Sequence, residues 1–358
     1  MNKVTSQITA GSASHERGVK NKSVIFIILA VIILIAFILD LFLGSVNISP
    51  GNVLKALTGN AGEGIQTIIL QFRLPKALTS LLVGIALSLS GLQMQTLFRN
   101  PLAGPYVLGV SSGASLGVAV VVLGFSSVLT SVNLQVLGNW ILVISAWAGA
   151  GAVMVLIMLV SSRIRDIMTI LILGMMLASG LSAIVSIMQY FSNETMLKAY
   201  VIWTMGSLGN LSSGQLNVLL ITVAAGTILS FFSIKIMNAL LLGENYAGSI
   251  GLNIRSARMI ILACTCILAG SVTAFCGPVG FIGIAVPHIA RNLFKTSDHS
   301  VLVPGSVLAG GAVMLASDII SQLPGTESVL PVNSVTSLIG IPVVIWILLR
   351  KKGNPGIF

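Results

Sequence analysis

The stretch 73–117, RLPKALTSLLVGIALSLSGLQMQTLFRNPLAGPYVLGVSSGASLG, decides the fold class. It is apolar for two helix lengths, yet small residues run through it. Gly84, Ser88 and Gly91 punctuate the first half, and Gly109, Gly113 and Gly117 fall four apart in the second. In water each such glycine weakens a helix by roughly 1 kcal/mol relative to alanine. In a bilayer the same spacing lets two helix backbones approach closely, because lipid gives helices no hydrophobic reason to associate. Gly109, Gly113 and Gly117 are therefore expected to form a helix-packing stripe. Between the halves lie Arg99-Asn100-Pro101 and Gly104-Pro105, a polar turn where the chain reverses.

Composition extends this reading to the whole chain. Of 358 residues, 55% are hydrophobic and 8% charged, and the mean hydropathy is +1.03, which excludes a soluble globular domain. Apolar stretches of about 20 residues recur throughout, each long enough to span a bilayer. The net charge of +10 belongs to short loops on one side of the membrane, and no basic–aromatic run points to nucleic acid. Membrane lipid is the expected surrounding. Cys264, Cys266 and Cys276 are odd in number and have no accompanying histidine cluster, so neither a zinc site nor a disulfide framework is expected.

The expected fold is an all-α integral membrane protein of about ten transmembrane helices. Residues 1–23 read as a disordered cytoplasmic tail, 24–352 as the transmembrane domain and 353–358 as a C-terminal tail. The spans are placed at about 24–43, 76–98, 106–125, 140–161, 166–191, 215–235, 259–274, 279–294, 301–320 and 334–349. Pro50 is a natural start for a short outer helix. With both termini inside, 15 of the 19 Lys and Arg residues fall on the cytoplasmic side. The outer four are Lys55, Arg73, Lys76 and Lys198, and a bias this large sets the orientation. Gly104-Pro105 leading to Gly109 echoes Gly277-Pro278 leading to Gly283, five spans later, a candidate inverted repeat of spans 2–5 and 7–10.

Catalytic chemistry is absent from the pattern. No Gly-Lys pair occurs, so there is no phosphate-cradling loop of the G-x-x-x-x-G-K-[ST] kind. His15, His288 and His299 are scattered and form no acid–base pair or metal cluster with the carboxylates. The chain is read as no enzyme, with no cofactor or metal of its own. The cytoplasmic segment 237–258 is the most informative loop. Glu244 near a helix start suits the helix dipole, Tyr246, Ala247 and Ile250 share one face by spacing, and Gly251 is a natural stop. The result is a short amphipathic helix, which by itself is also what a helix lying on lipid looks like.

Several motifs in order resemble the permease subunit of ABC importers for iron–siderophores, haem and vitamin B12. They are Arg73 through Arg99-Asn100-Pro101 to Leu108-Gly109-Val110-Ser111, Gly283 to Pro287-His288 and Arg291, and Leu330-Pro331 with Ile339-Gly340 and Pro342. The resemblance implies ten helices and a second permease copy, most simply a homodimer. It also implies two copies of an ABC ATPase, which hydrolyse the ATP, and a periplasmic or lipid-anchored substrate-binding protein. The cargo would be a metal chelate, an iron–siderophore first, with haem or cobalamin as the others, carried across the bacterial inner membrane.

Residue by residue, the resemblance makes Gly243, Glu244, Ala247, Ile250 and Gly251 part of a coupling helix that seats on the ATPase. Ile250 stands where the family pattern has Leu, and Tyr246 completes the face. Arg73 and Lys76 become docking residues for the binding protein, with Gln322 at the third, usually basic, docking position. Span five, rich in methionine, would line the pathway with span ten, which assigns Met175, Met176 and Asn333 to it. The competing class is an ion-driven secondary transporter. It would need ionisable groups in mid-membrane, whereas the only acids in or near spans, Asp40 and Asp318, lie toward span ends.

Overall fold

The computed structural model describes residues 2–44, 46, 48–124, 134–164, 166–322 and 329–350; the C-terminal tail 353–358 lies outside them. Among the described residues every regular element is helical. Helix α1 (Asn2–Phe42) is followed by two short helices, α2 (Pro50–Leu57) and α3 (Glu63–Thr67). A π-turn (Ile68–Arg73) then feeds α4 (Leu74–Leu97), and a 3₁₀ turn (Pro105–Leu108) leads into α5 (Val110–Ala119). Next come α6 (Leu134–Ser161), α7 (Ile167–Tyr190), α8 (Glu194–Thr204) and α9 (Ser213–Phe232). The segment 237–258 and the residues just before it hold α10 (Ile234–Leu241) and α11 (Glu244–Ser249). The chain continues through α12 (Ile254–Thr265), α13 (Ser271–Cys276), α14 (Ile282–Phe294), α15 (His299–Ser321) and α16 (Val332–Arg350).

Seven helices among the described residues are long and apolar enough to cross a membrane, and Val110–Gly124 and Val332–Trp346 are shorter apolar helices. α14, with 13 residues, is shorter still, because Phe281 at φ 63° starts it late and Lys295 at φ 48° ends it. The first helix begins at Asn2, so 2–23, expected as a disordered tail, is continuous with the first membrane-length segment, Lys22–Phe42. The helix expected at Pro50 is present as α2. α8 has no counterpart in the sequence reading. Asn193 caps it by accepting from the Met196 N–H at 2.9 Å, yet its 11 residues are too short and mixed to stand out by hydropathy.

The bundle is built around α4. In the helix Glu63–Leu97, 83% of the most apolar window is buried by protein, against 22% for Lys22–Phe42 and for Ile167–Tyr190. Small residues make this close packing feasible. A methyl group added at Gly84 would lie 2.2 Å from the Gly310 carbonyl oxygen on α15. One at Gly91 would lie 1.7 Å from that of Gly283 on α14. The Ser88 hydroxyl donates across the α4–α15 contact to Ser306 O at 2.8 Å.

A second backbone contact joins α5 to α6. A methyl at Gly113 would lie 2.5 Å from Gly149 O, and one at Gly117 2.0 Å from Ser145 O. Gly109, expected to continue this stripe, does something else. At φ 79° it is the left-handed link between the 3₁₀ turn and α5, and an added methyl would find its nearest atoms at an ordinary 3.5 Å. The two Gly-Pro segments touch: a methyl at Gly283 would be 2.8 Å from Pro105 Cδ, and the Val279 N–H donates to Tyr106 Oη at 3.4 Å.

Candidate functional site

The segment expected to form a coupling helix is a short helix between two glycines in positive-φ backbone, Gly243 at φ 104° and Gly251 at φ 90°. Its first residue is anchored. Arg258 of α12 donates through Nε to Glu244 Oε1 at 2.8 Å and through Nη2 to Oε2 at 2.6 Å, and its Nη1 donates to Ile164 O at 3.2 Å. A two-pronged guanidinium–carboxylate pair fixes direction as well as distance. Ala247 is fully buried, while Tyr246 is 51% and Ile250 59% exposed. The single face drawn for Tyr246, Ala247 and Ile250 is thus corrected. Ala247 packs inward, because the anchored Glu244 turns the helix so that residue 247 meets the bundle. Tyr246 and Ile250, one turn apart, are left facing out.

Behind this segment the neighbouring helix ends are tied by side chains. Asn238 of α10 donates to Asp298 Oδ1 at 2.8 Å, and its own Oδ1 accepts from the His299 backbone N–H at 2.9 Å. His299 Nδ1 lies 2.8 Å from the same oxygen, and its Nε2 lies 2.8 Å from Thr96 Oγ1 on α4. Arg291 donates to Gln95 Oε1 at 2.6 Å, and Gln95 donates to Ile284 O at 3.1 Å. His288 Nε2 sits 2.8 Å from Pro101 O. Of these, His288 and Arg291 belong to the motif running from Gly283. Gln95, Thr96, Asn238 and His299 were missed, and their signal was available as polar residues within or next to apolar helices.

Asp298 also caps α15, accepting from Ser300 N–H at 2.9 Å. The Ser300 hydroxyl and N–H, with the Asn238 amide, hold its carboxyl below the usual carboxylate range. At mid-bundle Gln93 joins α4 to α9 and α12, donating to Ser230 Oγ at 2.9 Å and Cys264 Sγ at 3.1 Å and accepting from Thr265 Oγ1 at 2.9 Å. Cys264 is therefore a hydrogen-bonded group, not only an apolar filler.

The trio expected to dock the binding protein, Arg73, Lys76 and Gln322, is arranged differently from three free docking groups. Arg73 is 9% exposed, and its guanidinium donates to the carbonyls of Leu41 and Phe42, both at 2.9 Å, and of Val46. It closes the carbonyl end of α1, where a cation also suits the helix dipole. Lys76 Nζ pairs with Asp318 Oδ1 at 2.9 Å, and Gln322 donates to Asp40 Oδ1 at 2.6 Å. Only Lys76, with 20% of its side chain exposed, keeps a foothold at the surface among charged members.

Of the pathway residues, Met175 and Met176 are 45% and 70% exposed on α7. Asn333 does not cap its own helix. Its side chain accepts from the Gly280 N–H at 2.9 Å and pins the loop before α14. Among the described residues no group of three or more His, Cys, Asp or Glu is placed to hold a metal.

These features define a multi-pass, all-helical membrane protein with an anchored helix projecting from one end. The FecCD transport family model matches residues 31–350, and the chain belongs to that family. It is 37% identical over 325 residues to the vitamin B12 import system permease protein BtuC of Escherichia coli O9:H4 (strain HS), covering 90% of this chain and 94% of the relative. The BtuC protein of E. coli strain K12 / DH10B is 37% identical over 323 residues, with the same coverage. Among solved structures, an inward-facing metal-chelate type ABC transporter superposes with a TM-score of 0.79 at 28% identity, covering 91% of this chain and 99% of that one. PsaBC from Streptococcus pneumoniae shares the fold, with a TM-score of 0.51 at 12% identity over 82% of this chain and 94% of that one.

Proposed function

We propose that this chain is the permease subunit of an ABC importer in the bacterial inner membrane, working as a pair of copies on two ATPase subunits and fed by a substrate-binding protein. It performs no hydrolysis itself. The observation that carries the reading is the α11 segment. A helix of six residues, braced by Glu244–Arg258 and showing Tyr246 and Ile250 outward, is stiff enough to transmit a push from a partner. A helix that merely rested on lipid would not need its first residue clamped to another span. In this reading the seven long helices, the two shorter apolar ones and α14 make ten spans with both termini cytoplasmic. The two touching Gly-Pro segments mark the axis of an inverted repeat.

The cargo is a metal chelate. Relatives named for vitamin B12 import favour cobalamin, while an iron–siderophore or haem belongs to the same class. Met175 and Met176 offer a soft apolar wall on which a large chelate neither sticks nor stalls. On the outer face Lys76 is the docking contact for an acidic lobe of the binding protein, and Arg73 and Gln322 hold the surface behind it. The test is reconstitution with the cognate ATPase and binding protein. ATP should drive uptake of cobalamin or a ferric siderophore with a collapsed proton gradient. Uptake that needs the gradient and ignores ATP would establish the secondary-transporter alternative instead.

A further inference from the structure

Helix α10 carries α11 on a short link, Leu242-Gly243, and packs against α4 and α15 with Met237 and Leu240 buried. Among the described residues, Asn238 is the one side chain of α10 that hydrogen-bonds another helix. Its surroundings fix the direction of every bond in the chain it starts. The Asp298 carboxylate only accepts and the His299 backbone N–H only donates, so Asn238 presents Nδ2 to the first and Oδ1 to the second. That same Oδ1 lies 2.8 Å from His299 Nδ1, so the ring carries a hydrogen on Nδ1. In the neutral ring Nε2 is then an acceptor, and the Thr96 hydroxyl, 2.8 Å away, donates to it. Thr96 Oγ1 lies 2.8 Å from Leu92 O as well, and its single hydrogen goes to the ring whenever Nε2 is bare.

The result is an oriented chain of hydrogen bonds from α10 through the start of α15 to α4. It is closed off from water, with His299 1% and Thr96 2% exposed. Apolar side chains can slide past one another. Hydrogen bonds weaken steeply off their geometry, and a buried group that loses its partner finds no water to replace it. The three helix ends are therefore held to move together. Resting on the importer reading, in which α11 meets the ATPase, we infer that Asn238 is the positioning residue through which a displacement of α11 reaches α4. Thr96 is the receiving end, three residues before Arg99-Asn100-Pro101, the turn that closes α4. The Glu244–Arg258 pair ties α11 to α12, and Asn238 supplies the separate route to α4.

Nitrogen NMR of the histidine-labelled full-length permease in nanodiscs tests the geometry without cargo or ATPase. The His299 signal, identified by its absence in His299→Gln, should show hydrogen on Nδ1 and a bare Nε2. His288 gives the contrast, since its Nε2 faces the Pro101 carbonyl and must carry the hydrogen. A bare Nδ1 on His299 overturns the inference. The role is tested in the reconstituted complex with ATPase and binding protein, using cobalamin, or a ferric siderophore if the wild type carries that instead. Thr96→Val keeps the side-chain shape and removes the hydroxyl. It should assemble with the ATPase, hydrolyse ATP as before and carry about tenfold less cargo per ATP. Thr96→Ser should restore the ratio, and Asn238→Ala should repeat the loss. An unchanged ratio in Thr96→Val overturns the inference. So does a Thr96→Val chain that fails to fold, or in which hydrolysis and uptake fall together, because the hydroxyl is then only structural. A wild type whose uptake ignores ATP overturns the importer reading, and this inference with it, before any variant is compared.

Discussion

At Glu244 a carboxylate receives two hydrogen bonds from Arg258, which is 6% exposed in its side chain. Replacing Glu244 with Gln leaves that guanidinium buried with a weaker partner, and hydrogen bonds to charged groups are worth about 1.5–3 kcal/mol. We expect Glu244→Gln to lower stability by about 2 kcal/mol and to loosen α11, measured by thermal unfolding in nanodiscs. Its neighbours separate packing from partner contact. Ala247→Arg should fail to fold well, since it forces a charge into a fully buried site. Ile250→Arg should fold normally and lose ATPase co-purification and uptake. If Ile250→Arg assembles an active complex, α11 is a surface helix only. At the outer end, Arg73→Ala should cost roughly 2 kcal/mol through three orphaned carbonyls, a loss of stability at any salt concentration. A loss confined to binding-protein affinity would return Arg73 to docking.

At the scale of elements, the glycines of α5 make unequal predictions. Gly117→Ala puts a methyl 2.0 Å from a backbone oxygen, which no side-chain rotation can relieve, so α5 and α6 must separate. Gly113→Leu should do the same, with low yield and early unfolding in detergent. Gly109→Ala should be milder, at about 1–2 kcal/mol, because it meets only left-handed strain. Equal penalties at 109 and 117 would contradict this division. The α15 cap carries a pH signature. The Asp298 carboxyl is held below its usual range, so the cap contributes fully above about pH 4 and is lost as pH falls through the native value. Asp298→Ala should therefore cost about 1 kcal/mol at neutral pH and much less in acid.

For the whole molecule, the exposed apolar surfaces indicate where lipid or a second copy must lie. Helix α7 shows Ile172, Met176 and Ile187 at 52–70% exposure, and α16 shows Leu338 at 73%. If these faces meet across a dimer axis, Met176→Cys should yield a disulfide-linked permease pair in native membranes on mild oxidation. Monomer alone under conditions that support uptake would place α7 away from the axis.

Much of this protein was legible before any tertiary contact was known. Mean hydropathy, the basic-residue bias and the glycine spacing are properties of consecutive residues, and they suffice for a multi-pass helical bundle and a small helix around Glu244. The motifs from Arg73 to Pro342 carried the family. What the chain order could not supply was partnership between residues far apart. Thr96 meets His299, Gln95 meets Arg291 and Asp40 meets Gln322 across separations of 203, 196 and 282 residues. The same applies to facing: helical spacing put Tyr246, Ala247 and Ile250 together, but the Arg258 clamp decided which of them turns inward. Sequence alone determined which segments are apolar enough to enter a membrane, because transfer from water to lipid is a sum over neighbouring residues. Only the tertiary structure decided which polar groups there are satisfied and by whom, because in a medium without water each must find a partner on another helix.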